Sequence, residues 1–152
     1  MVSISKHPQE AADAWRAAVH METYPTGQKK YIGDGWVSIR VNDQELVPTD
    51  AWFNTDEFWD AIDLLFQDFM DVGEAFDELT WLPLKLALRR TGQTAIFTVD
   101  SLSTEIEPIS FLPSVIGGMD AFYRWNTEYN EAHYPVDMIE ELHDAASRLP
   151  YQ

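Results

Sequence analysis

The sequence predicts an α+β fold: an antiparallel sheet built from two β-hairpins packed against α-helices, in the order α-ββ-α-ββ-α-α, as a single domain over residues 1–152. Two pairs of short segments alternate apolar and polar residues around turn-forming residues, the mark of hairpins. A long central stretch repeats its apolar residues at helical spacing instead. With 152 residues, 45% of them hydrophobic, the chain is long enough to bury a substantial core.

In chain order, His7 to Met21 reads as a first helix. Pro8 suits the first helical position, and HPQEAADAWRAAVHM is rich in alanine, with Trp15, Ala18 and Val19 as an apolar stripe. Tyr24-Pro25-Thr26-Gly27 reads as a turn, and Lys29 and Lys30 form a small basic island. Gly33-Asp34-Gly35 reads as loop; without a strand–loop–helix context it is no phosphate cradle. Gly35 to Val41 alternates as a strand and Glu45 to Val47 returns as its partner, ended by Pro48-Thr49-Asp50.

The central helix spans Asn54 to Glu78, with Asn54 and Glu57 as a capping pair and Thr55 as a rival cap. Leu79 to Leu82 leave it, and Pro83 breaks it. Leu84 to Arg90 and Thr94 to Asp100 form the second hairpin around Thr91-Gly92-Gln93. Ser101 to Pro108 reads as a polar link. A third helix starts near Pro113 or Ser114 and runs to Glu131, with Val115, Ile116, Met119, Phe122, Tyr123 and Asn126 on one side. Gly117-Gly118 weakens that helix or lets another element approach closely. Pro135 opens a fourth helix, which ends before Pro150.

The central helix has two faces. At roughly 100° per residue, Phe58, Ile62, Leu65, Phe66, Phe69, Val72 and Phe76 point one way, with Trp59 at the edge. These are expected to be core. The opposite arc holds Asp56, Glu57, Asp60, Asp63, Asp68, Asp71, Glu74 and Glu78, together with Gln67. No Lys or Arg occurs between Arg40 and Lys85, so no basic side chain on this helix balances the acids. Seven like-charged pairs stand three or four residues apart, and Glu74 to Glu78 oppose the helix dipole. Leu64 lies in the middle of this acidic arc, where an apolar residue has no folding reason to be. An apolar residue ringed by carboxylates suits a basic, partly apolar partner. The partner-binding residues expected are therefore Glu57, Asp60, Asp63, Leu64, Gln67, Asp68, Asp71 and Glu74. The competing expectation is that Leu64 is an ordinary exposed leucine or is covered by another element.

Chemistry-bearing motifs are scarce. The absence of cysteine excludes disulfide frameworks, thiolate metal sites and cysteine nucleophiles, and is compatible with a reducing cytosol. Glu140-x-x-His143 matches half of a di-iron pattern, but a second copy and further glutamates are missing. Ser101 and Ser103 lack a nucleophile-elbow context, and the acidic helix lacks the spacing of a calcium-binding loop. No catalytic residue, metal ligand or cofactor site is assigned. A net charge of −16 disfavours direct binding of nucleic acid or anionic membranes and favours basic proteins, although solubility or an acidic proteome is a competing explanation. Trp52-Phe53 and the Trp125–Tyr129 pair are candidates for an interface rim, with core burial as their default. The start, MVSISKHPQEAADAW, lacks the apolar core of a signal peptide, and no run approaches the ~18 apolar residues of a membrane span.

The segment GWVSIRVNDQELVP, the helix from Asp56 to Phe76, and LPLKLALRRTGQTAIFTVD together resemble the layout of bacterial immunity proteins of polymorphic-toxin and contact-dependent inhibition systems. The resemblance covers about the middle half of the chain. It implies a cytoplasmic, non-enzymatic inhibitor that binds one cognate toxin domain, often a basic nuclease. The alternatives are a nucleic-acid mimic acting on a DNA-binding enzyme, and a small metal-dependent enzyme using Glu140, His143 or the acidic face.

Overall fold

The computed structural model describes residues 2–5, 13–23, 29–41, 44–47, 53–76 and 84–149. The described elements, in order, are β1 (Val2–Ser5), β2 (Asp13–Thr23), β3 (Lys29–Val41), β4 (Gln44–Val47), β5 (Phe53–Asn54), α1 (Thr55–Val72), β6 (Glu74–Phe76), β7 (Leu86–Thr91), β8 (Thr94–Val99), β9 (Leu102–Ile106), α2 (Pro108–Asn130) and α3 (Val136–Ser147). The class is α+β, with all strand pairing among the described residues antiparallel. Each expected hairpin is present, but each has grown into its own sheet. One sheet has the order β1-β2-β3-β4 with β5 beside β3, and the other has the order β6-β7-β8-β9.

The expected first helix is corrected: Asp13–Thr23 is a strand. It pairs with β1 on one side (Ile4↔Ala17) and β3 on the other (Trp15↔Ile39). Alanine's helix propensity is a weak prior that two flanking strands override. A period-two signal is also present, since Trp15, Ala17, Val19 and Met21 alternate with Arg16, Ala18, His20 and Glu22. Gly33-Asp34-Gly35 is likewise strand rather than loop, with Asp34 and Gly35 paired to Asn54 and Phe53 of β5. The expected turns at residues 24–27 and 48–50, and the expected helix breaker Pro83, lie outside the described residues.

Helix α1 is the centre of the core. Phe58, Trp59, Ala61, Ile62, Leu65, Phe66 and Phe69 are buried, in a cluster that includes Ile39, Val41 and Leu46 of the first sheet. Fully burying one such phenylalanine stabilises the fold by about 1.5–3 kcal/mol relative to exposure. Phe58 packs edge-on against Trp59 with ring centroids 5.1 Å apart, and Phe66 meets Phe111 of α2 at 6.3 Å.

The end of this helix differs from expectation. It stops at Val72. Gly73 takes the left-handed conformation (φ +78°), and its N–H donates to the Phe69 carbonyl at 2.7 Å, closing the helix. Glu74–Phe76 then pairs with β7, and the Gly73 carbonyl accepts the Arg90 N–H at 2.8 Å. The period changes from helical to alternating, so Ala75 is buried while Phe76 is 58% exposed. Val72, in the last turn, is 76% exposed. Neither is core, contrary to the helical projection. Of the seven like-charged helical pairs, four remain on α1: Asp56/Asp60, Glu57/Asp60, Asp60/Asp63 and Asp68/Asp71. Their summed repulsion falls to about 1–2 kcal/mol at low salt.

The second hairpin is present, paired from Leu86↔Val99 to Thr91↔Thr94, so that Thr91, expected in the turn, ends the strand. Leu86 and Leu88 face inward with Ala95, Phe97 and Val99. Gly92 has φ +73°, which a two-residue loop with glycine first requires. The expected polar link is largely strand β9, paired to β8. Helix α2 starts at Pro108 rather than Pro113, which lies inside it. Its expected inner face is buried from Val115 to Asn126, and α3 buries Ile139, Leu142 and Ala146.

Candidate functional site

Packing divides the acidic arc of α1 into two strips. Asp60, Leu64, Asp68 and Asp71 are exposed. Their spacings of four, four and three residues place them along one side of the helix. Leu64 is 51% exposed, so no described element covers it. The helix carries two acids in its first turn and no basic residue in its last.

Asp56, Asp63 and Gln67 form a half-buried strip instead, while Glu57, also half-buried, lies in line with Leu64 and Asp68. Gln67 Nε2 donates to Asp63 Oδ1 at 2.7 Å. Helix α3 stands beside this strip, and Glu141 adds like charge to Asp63. A groove of about 320 Å³ between the two helices is lined by Gln67, Met70, Asp71, Glu141, Asp144 and Arg148. The acidic surface therefore extends from α1 onto α3. Glu141 and Asp144 were missed by sequence reasoning, although their three-residue spacing on a helical segment was a readable signal. Glu74 is exposed but lies on β6, off the helix. A wider groove of about 540 Å³ at the end of α1 brings it together with Met70, Asp71, Val72 and Arg90.

Burial and like charge shape the proton affinity of this face. Desolvation, with the Asp60 charge, raises the Asp56 carboxyl above the ordinary aspartate range. Desolvation and then Glu57 raise Asp60, while a hydrogen bond with Tyr123 of α2 opposes the shift. Desolvation raises Asp63, the Gln67 hydrogen bond opposes it, and Asp60 and Glu141 add to the rise. Asp56 Oδ1 is buried with no hydrogen-bond partner among the described residues.

The remaining polar constellation joins α2 to the segment before α3. Tyr134 O–H donates to Asp120 Oδ1, and Arg124 Nε donates to Asp120 Oδ2 at 2.9 Å. The Arg124 guanidinium lies 5.0 Å from the Tyr134 ring centroid. This arrangement clamps a loop. It contains no nucleophile paired with a base.

Glu140 and His143 are both exposed on α3. Among the described residues, no three His, Asp or Glu side chains converge as a metal site would require. Trp125 is half-buried and packs against the core, its ring 6.2 Å from that of Phe122. Trp52 lies outside the described residues. Among the described residues, no helix is long and apolar enough to cross a membrane.

No protein-family model matches the chain, no curated protein is significantly similar to it in sequence, and no solved structure matches its fold.

Proposed function

We propose that this chain is a non-enzymatic, protein-binding inhibitor of the immunity-protein kind, acting in the cytoplasm. Its partner is a basic protein, a cognate toxin domain, which docks on the exposed strip of α1. The observation that carries this reading is Leu64, 51% exposed among Asp60, Asp68 and Asp71 on a helix without a basic residue. The like charges around Leu64 cost the free protein stability, and Leu64 leaves apolar surface in water at their centre. A cationic partner with an apolar contact removes that cost.

The division of labour follows from the physics. The net charge of −16 steers a basic protein toward this face and speeds encounter. Leu64 and the stems lining the α1–α3 groove supply apolar area that a partner can desolvate. Glu141 and Asp144 widen the complementary patch.

The test is a hydrogen-exchange footprint of this chain in complex with a basic protein captured by it from the source cell and identified as a toxin domain. Protection is expected over residues 60–71 and 141–148. Protection confined to the first sheet or to β9 would show that the docking face lies elsewhere.

A further inference from the structure

We infer that the seam between the start of α1 and the end of α2 is a binding site for one structural water, held by Asp56 Oδ1, Trp59 Nε1 and Thr127 Oγ1. The site is separate from the exposed acidic strip.

Among the described residues, these are the side-chain atoms shut from solvent without a hydrogen-bond partner. They gather at one place. Asp56 and Trp59 stand three residues apart at the start of α1, so their side chains are neighbours on the helix surface. Trp59 is fully buried, and its ring centroid lies 6.2 Å from that of Phe122 on α2. Further along α1, Phe66 meets Phe111, which is earlier on α2, at 6.3 Å. The two helices therefore run antiparallel, and residues before Trp59 lie level with residues after Phe122. Asp60 and Tyr123 are hydrogen-bonded across the same seam. Four residues back from Asp60 is Asp56, and four residues on from Tyr123 is Thr127. Each step rises about 6 Å and keeps the side chain on the same face. Asp56 and Thr127 therefore oppose each other one turn beyond the Asp60–Tyr123 pair.

The three groups are complementary in kind. A carboxylate oxygen accepts, an indole N–H donates, and a hydroxyl does both. They are not bonded to one another, although all three atoms are closed to solvent. A buried polar group left in that state keeps its full desolvation cost. One water removes the cost for all three. It accepts from Trp59 Nε1, donates to Asp56 Oδ1, and shares a hydrogen bond with Thr127 Oγ1. About three bonds is the usual number for a buried water in a protein. The water ties the start of α1 to α2 beside Asp60, where the exposed strip begins.

The experiment combines a crystal structure of the full chain, at a resolution that shows ordered water, with water–protein NOE and ROE spectra read at the Trp59 indole N–H. Trp59→Phe assigns that signal. The expected crystal result is one water within hydrogen-bond distance of Asp56 Oδ1 and of both other atoms. In solution, the Trp59 signal should show water cross-peaks of opposite sign in the two spectra. That pattern marks a long-lived water, which surface hydration does not give. Thr127→Val keeps the shape of the side chain and removes its hydroxyl, so the cross-peak should be lost or weakened. Asp68→Asn, on the exposed strip, should leave it unchanged. A dry seam, a direct Asp56–Thr127 hydrogen bond, or a water that misses any of the three atoms overturns the proposal. So does a cross-peak that Thr127→Val leaves as in the wild type. The wild-type crystal structure decides the matter even where a variant fails to fold.

Discussion

Replacing Gly73 with alanine should destabilise the protein by about 1 kcal/mol. Gly73 has φ +78°. An L-residue in the left-handed region pays roughly 1–2 kcal/mol. Alanine also narrows the unfolded ensemble, which returns up to about 1 kcal/mol. No steric clash is added, because a Cβ at residue 73 would meet Arg90 Cβ at 3.5 Å, an ordinary contact. The alternative of relaxing the backbone is worse. It would break the 2.7 Å bond from Gly73 N–H to Phe69 and the 2.8 Å bond from Arg90 N–H to Gly73, uncoupling α1 from β7. Urea unfolding followed by tryptophan fluorescence measures the loss, and in a domain of this size Tm should fall by about 2–4 °C. Asparagine tolerates the left-handed region better, so Gly73→Asn should cost less. If Gly73→Ala proves as stable as the wild type or more so, the left-handed stop is refuted. A helix running on through residue 73 becomes the better description, and Glu74 and Phe76 return to its surface.

Gly117 lies inside α2, and among the described residues no neighbouring element comes within 4 Å of a prospective Cβ, so Gly117→Ala should raise stability by about 0.8–1 kcal/mol in the same assay. Any loss would mean that another element packs against it. Leu64→Ser should leave folding stability within about 0.5 kcal/mol of the wild type, because the side chain is 51% exposed. A loss of 2 kcal/mol or more, on the scale of a core truncation, would place Leu64 in the fold rather than on a docking face.

The parts of the fold legible in the sequence are those where one period dominates. Phe58, Ile62, Leu65, Phe66 and Phe69 keep helical spacing and are all buried. Leu86 and Leu88 alternate with Ala87 and Arg89 up to a Gly-Gln loop, and that hairpin is present in register. Misreadings arose where two local signals competed. Alanines around Trp15 favour a helix, while the alternation from Trp15 to Met21 favours the strand that forms. Gly73 signals a stop, while Phe76 continues the helical projection; the backbone obeys Gly73. Pro108 and Pro113 both suit a first turn, and the earlier one opens α2. Strand β9 was hard to see because, as an edge, it buries only Ile106 of its five residues. At the candidate site, composition revealed the acids and the isolated Leu64. It did not separate the exposed Asp60 and Asp68 from the half-buried Asp56 and Asp63. That division depends on how elements far along the chain pack beside α1, such as α3, whose Glu141 adds its charge to Asp63.

The central claim is that the exposed strip of α1 receives a basic protein. Its most direct measurement is the dissociation constant for the basic toxin domain captured from the source cell, with the wild type and with the triple variant Asp60→Lys, Asp68→Lys, Asp71→Lys, at two salt concentrations. Tight wild-type binding that weakens with salt, and loss of binding by at least about a hundredfold in the triple variant, are the predicted results. A triple variant that folds and binds as tightly as the wild type would contradict the claim.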